Sequence, residues 1–128
     1  MAEVKTEDKL PGTMAVNDQG ILEIGGFSVV DLSREYGTPL MVLDEEKIRE
    51  NIRLYRQAFE NNYCDFQIVY AGKALLNQAL CKIIADENIG LDVVSGGELY
   101  TAIQADFPME KVFFHGNNKL ESEIEMAL

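Results

Sequence analysis

Residues Phe66-Gln-Ile-Val-Tyr-Ala-Gly-Lys73 decide how the chain is read. Phe66 to Ala71 form an uninterrupted strand-competent run without a charged group, the composition of a strand buried on both faces of a parallel sheet. Gly72 permits a close backbone approach, and Lys73 is then expected to project from the strand's carboxyl end. In open α/β sheets and in (β/α)8 barrels, that end is where ligands bind. An apolar setting disfavours the ammonium form, and an uncharged amine is what a Schiff-base lysine requires. The same residues also fit a lysine that caps a strand and reaches back to water.

On either side the pattern is regular. Leu40-Met-Val-Leu43 reads as a strand, with Asp44 as N-cap of a helix whose first turn holds Glu45 and Glu46. Ile48, Ile52, Tyr55 and Phe59 form the apolar stripe of that helix, which ends at Asn61-Asn62. After Lys73 a helix is expected from about Leu75 to Asp86, with Leu76, Leu80, Ile83 and Ile84 facing inward. Gly90-Leu-Asp-Val-Val94 is a third strand, and Ser95-Gly-Gly-Glu98 reads as a capping box opening a third helix that stops at Pro108. Lys111-Val-Phe-Phe-His115 is a fourth strand, leading to a helix from about Lys119. Four βα units with short connections predict an α/β fold with a parallel sheet. Two architectures compete, an open doubly wound sheet and a partial (β/α)8 TIM barrel. A whole barrel needs about 250 residues, so four units read as a truncated half.

Residues 1–19 read as a flexible polar arm, with Pro11-Gly12 and Asn17 to Gly20 as turn signals. Residues 20–36 hold Ile21-Leu-Glu-Ile24 and Phe27-Ser-Val-Val30 around Gly25-Gly26, a hairpin signature, with one helical turn at Asp31 to Tyr36. These strands have no partner nearby in sequence and are expected to belong to an absent β domain. Residues 37–128 are assigned to the half barrel.

Eleven basic against 22 acidic residues give a formal net charge of −11, which argues against nucleic acid or an anionic membrane surface as partner. Cys64 and Cys81 lack metal-ligand spacing, so no metal is expected, and they fit a reducing cytoplasmic setting better than a disulfide framework. No apolar run approaches the roughly 18 residues that span a bilayer.

Four blocks occur in register on these units: Tyr36-Gly-Thr-Pro39, Tyr70-Ala-Gly-Lys73, Gly90-Leu-Asp-Val-Val-Ser-Gly-Gly-Glu-Leu99 and His115-Gly-Asn-Asn-Lys119. Together they resemble the N-terminal part of the diaminopimelate decarboxylases, pyridoxal-phosphate enzymes of fold type III with an alanine-racemase-like barrel. The resemblance runs from about Gly20 to the end of the chain. It implies pyridoxal 5'-phosphate as cofactor, an amino-acid substrate, decarboxylation of meso-diaminopimelate to L-lysine, a cytoplasmic homodimer when full length, and an inactive fragment when residues 1–128 stand alone.

By the same resemblance, Lys73 is the lysine that holds the cofactor and Asp92 lies beside the cofactor and that lysine. Glu98 matches a glutamate near the active site, although the capping box already accounts for it. Ala71, Glu98, His115 and Asn117 are candidate pocket-lining residues, and the histidine that stacks on the cofactor in this family comes from a later strand than His115. One departure stands out: Leu75 occupies a position where the family often has asparagine. Ornithine and arginine decarboxylases and a non-catalytic pyridoxal-phosphate-binding relative remain as alternatives. Alanine racemase is disfavoured by Ala74-Leu-Leu-Asn-Gln78, which lacks the Asn-Ala-Tyr-Gly-His type of run.

Overall fold

The computed structural model describes residues 10–128, which form two compact units divided between Asn51 and Ile52. Of the arm expected over residues 1–19, residues 1–9 lie outside the described residues. The remainder is not simply an arm, because Ala15–Val16 (β1) pairs antiparallel with Leu22–Ile24 (β2).

In the first unit β2 turns back into Phe27–Ser28 (β3), with Ile24 opposite Phe27. Gly25 and Gly26 both take left-handed φ, 60° and 79°, which a two-residue turn matched to strand twist demands. The expected hairpin is present, but it ends early. Val29–Tyr36 (α1) is helical, so Val29 and Val30 are not strand residues and the expected single turn is a full eight-residue helix. Ser28 explains the change: its hydroxyl accepts from the Asp31 N–H at 3.3 Å, and this cap overrides the β preference of the two valines.

Leu40–Leu43 is not a strand. It has no ladder partner among the described residues, and Met41 is 76% exposed. Asp44 does cap the next helix, Glu45–Glu60 (α2): its Oδ1 accepts from the Lys47 N–H at 3.0 Å. Its Oδ2 accepts from the N–H and Oγ1 of Thr13 at 2.7 and 2.8 Å. Of the predicted α2 stripe, only Ile52 is buried.

The second unit holds the parallel sheet, in the order Val69–Ala71 (β4), Gly90–Val93 (β5), Val112–Phe114 (β6). Three of the four expected parallel strands are therefore present. β4 starts at Val69 rather than Phe66 and is half-buried instead of buried on both faces, because it is an edge of this sheet. Gln78–Asp86 (α3) follows β4 and packs on β5, and Gly96–Gln104 (α4) follows β5 and packs on α3. Glu121–Ala127 (α5) follows β6. α3 begins three residues later than expected, because Asn77 caps it by accepting from the Leu80 N–H at 2.8 Å.

Register makes the two sheet faces different. Tyr70, Leu91 and Val112 are neighbours, as are Ala71, Asp92 and Phe113, and successive residues alternate between faces. The Leu91 and Val93 face is covered: both are fully buried, together with Leu80, Cys81, Ile84, Leu99 and Ala102 from α3 and α4. At about 1.5–3 kcal/mol for each large aliphatic side chain taken from water, this layer holds the unit together. The other face carries Asp92 and a Phe113 that is 44% exposed. At the opposite end of the strands from Lys73, the buried carboxylate of Glu87 receives two hydrogen bonds from Arg53, at 2.6 and 3.1 Å, and its backbone carbonyl accepts from Arg56.

Candidate active site

The candidate residues collect at the carboxyl ends of β4, β5 and β6. β4 does not run straight into Lys73. Gly72–Ala74 forms a single 3-10 turn, and the Tyr70 hydroxyl closes it by donating to the Leu75 carbonyl at 2.9 Å. Burial pushes the Tyr70 phenol above its ordinary value, so the group stays a donor.

Gly72 is buried because the turn passes directly over the end of β5. A Cβ at this position would stand 2.9 Å from the Asp92 carbonyl oxygen and 3.5 Å from Glu98 Oε2. No side chain fits there, which is the physical content of glycine in Tyr-Ala-Gly-Lys. Lys73 itself is exposed, not desolvated as its apolar strand suggested, because the turn lifts it off the sheet into solvent.

Asp92 sits across from Ala71 on β5 with its side chain 25% exposed. The N–H of His115 donates to the Val93 carbonyl at 2.9 Å, extending the β5–β6 ladder by one bond. Two residues beyond Phe113, His115 returns to the Asp92 face, and its Nδ1 lies 4.0 Å from Asp92 Oδ2. The imidazole is 73% exposed. Asn117 is exposed in the loop that follows, where Lys119 Nζ donates to the Gly116 carbonyl at 2.7 Å and lies 4.5 Å from the Phe114 ring centre.

The capping box at Ser95 is half as expected. Ser95 Oγ accepts from the Glu98 N–H at 3.3 Å, but Glu98 Oε2 accepts from the Val94 N–H, one residue earlier than Ser95, at 2.8 Å. Glu98 therefore ties the end of β5 to the start of α4.

Sequence reasoning missed two contributors. Tyr70 was visible only as part of a motif, and its hydroxyl has a structural task. Glu123 had no signal beyond its place near the start of a predicted helix. Its Oε1 accepts from the Gly96 N–H at 2.7 Å and its Oε2 from the Leu120 N–H at 2.9 Å. These two N–H groups, Leu120 first, hold its carboxyl below the usual range.

This arrangement fits an aldehyde cofactor. An exposed primary amine follows the end of β4, next to a glycine packed against the backbone of Asp92. The Gly96 N–H, a natural anion donor at a helix start, is already taken by Glu123, so the phosphate of such a cofactor is not seated on that N–H. Among the described residues no group of three or more His, Cys, Asp or Glu is placed to hold a metal ion.

Comparison with known proteins agrees with this chemistry. Residues 45–128 match the family described as pyridoxal-dependent decarboxylase, pyridoxal binding domain. Diaminopimelate decarboxylase of Bacillus methanolicus is 49% identical over 117 residues, which is 91% of this chain and 27% of that protein. The enzyme of Bacillus subtilis is 48% identical, over 93% of this chain and 27% of that protein. The crystal structure of diaminopimelate decarboxylase from M. jannaschii in complex with L-lysine superposes with a TM-score of 0.75 at 38% identity. That match covers 90% of this chain and 27% of that one. The chain thus spans about a quarter of the length of these relatives. With most of its length matched by the pyridoxal binding domain, the chain belongs to the pyridoxal-dependent decarboxylase family.

Proposed function

We propose that the chain supplies the lysine-bearing part of a pyridoxal-phosphate-dependent decarboxylase that converts meso-diaminopimelate to L-lysine and carbon dioxide. The carrying observation is Lys73 on the turn that follows β4, next to a buried Gly72 that packs against the Asp92 backbone. The substrate assignment draws support from relatives that bear the diaminopimelate decarboxylase name, one of them in complex with L-lysine.

When bound, pyridoxal phosphate supplies an electron sink for the pair left behind as carbon dioxide departs. The chain's own residues do the rest. Lys73 Nζ would hold the cofactor at its aldehyde group. As an ammonium, Lys73 Nζ would be the group placed to deliver a proton to the substrate carbon that loses its carboxyl group. Asp92 sets the local charge beside Lys73, and Ala71, His115 and Asn117 line the pocket mouth. Glu98, committed to the Val94 N–H, holds the pocket wall rather than moving protons.

In this proposal the sheet of β4 to β6 is part of a (β/α)8 barrel spanning residues 37–128 and beyond. The open Asp92 and Phe113 face becomes barrel interior, and the strands of residues 20–36 join a second, β-rich domain. The intact enzyme is a cytoplasmic homodimer. The test is carbon dioxide release by the intact protein from meso-diaminopimelate, with ornithine and arginine as competitors. Turnover of meso-diaminopimelate that is lost in Lys73→Ala supports the proposal. Turnover confined to ornithine or arginine contradicts the substrate, and no turnover of any of the three contradicts the activity.

A further inference from the structure

A continuous set of contacts leads from α5 to the turn that carries Lys73. Glu123 Oε1 accepts the Gly96 N–H at 2.7 Å at the start of α4. Gly96 is pressed so closely on that carboxylate that an added Cβ would lie 3.1 Å from Glu123 Cγ and Oε1. The neighbouring Ser95 hydroxyl accepts the Glu98 N–H at 3.3 Å, and Glu98 Oε2 accepts the Val94 N–H at 2.8 Å. The same Glu98 oxygen stands 3.5 Å from where a Gly72 Cβ would be, next to Lys73.

We propose that Glu123 is a positioning residue for the lysine site: by fixing the first residue of α4 to α5 it sets where Glu98 stands, and through Glu98 it sets the end of β5 and the Gly72–Ala74 turn. The inference rests on the pyridoxal reading for its catalytic consequence, though not for its structural one. Two features single out this carboxylate. It satisfies N–H donors at the starts of two different helices, and a carboxylate at a helix start is favoured by the backbone dipoles. It also anchors the start of α5, where Leu120 at the N-cap has no side-chain acceptor and its own N–H donates to Glu123 Oε2.

That double duty dictates the experiment, since Glu123→Ala alone could simply fray α5. Leu120→Ser gives α5 a hydroxyl acceptor for the N–H of residue 123, so Leu120→Ser with Glu123→Ala keeps a cap on α5 while the ties to Gly96 and to the residue 120 N–H are lost. Hydrogen exchange on the intact enzyme then compares this double variant with Leu120→Ser alone. The expected result is exchange at least about tenfold faster at the Val94 amide and across residues 70–76, with global melting unchanged. In the decarboxylation assay kcat should fall about 10–100-fold, with KM within about twofold, as misplacement of a reacting group predicts. Faster exchange confined to Gly96 and its immediate neighbours, or an unchanged kcat in an active enzyme, would overturn the proposal. Absence of cofactor capture by the wild type would instead sink the pyridoxal reading, and the exchange comparison would still decide the structural role of Glu123 by itself.

Discussion

The hydroxyl of Tyr70 donates a 2.9 Å hydrogen bond to the carbonyl of Leu75, so the residue three before Lys73 holds the residue two after it. The turn bearing the candidate lysine is a closed loop, fixed at both ends. Removing only the oxygen tests its worth. Tyr70→Phe leaves the Leu75 carbonyl without this donor and should cost about 0.5–1.5 kcal/mol, the usual net value of such a bond. Denaturant titration of the intact protein reads this as a lower midpoint at unchanged slope. A midpoint equal to the wild type's would show that the bond does not hold the turn.

Gly72 offers a larger effect. The Cβ of alanine would meet the Asp92 carbonyl oxygen at 2.9 Å, a backbone atom in the interior of the sheet that cannot swing aside. Gly72→Ala should therefore destabilise by about 1–3 kcal/mol, the range for overpacking, despite the entropy that alanine removes from the unfolded chain. It should also displace Lys73 outward, slowing cofactor capture. Thermal melting and the capture rate check the two halves separately. A stabilised Gly72→Ala variant would contradict the close approach.

Asp44 makes a prediction about pH in the first unit. The backbone N–H groups of Thr13, then Lys47, lower its carboxyl below the ordinary value of 3.8. A depressed carboxylate contributes stability that is fully present above the ordinary value and is lost as pH falls through the lowered folded one. The tie between Thr13 and the start of α2 should accordingly persist at pH values above the ordinary aspartate range and disappear only below it. A carboxyl-carbon NMR titration of Asp44 with a midpoint at or above 3.8 would contradict the hydrogen bonding described.

Much of this was legible from residues alone, for physical reasons that can be named. The caps at Asp44 and Ser95 follow from side-chain acceptors next to apolar periodicity, and both occur where the sequence places them. The β5 segment was readable because Leu91 and Val93 pack against their own flanking helices. Leu40–Leu43 looked equally strand-like, yet a strand exists only with a neighbour, and composition does not supply one. The register of β5 and β6 brings His115 Nδ1 to 4.0 Å from Asp92 Oδ2, a pairing the sequence did not announce because it depends on which strands are neighbours. Glu123 was invisible because its partner Gly96 is 27 residues away, a distance that no local pattern spans. For Lys73 the sequence left a desolvated lysine and one reaching back to water both open, since the 3-10 turn that lifts it clear leaves no periodic trace.

The central claim is that Lys73 is the amine that takes pyridoxal phosphate, and covalent capture tests it most directly. The intact protein is incubated with pyridoxal phosphate, reduced with borohydride, digested and mapped by mass spectrometry. The account predicts one stoichiometric pyridoxyl adduct on Lys73, absent from Lys73→Ala. A dominant adduct on Lys119, Lys111 or any other lysine, or scattered substoichiometric labelling, would contradict it.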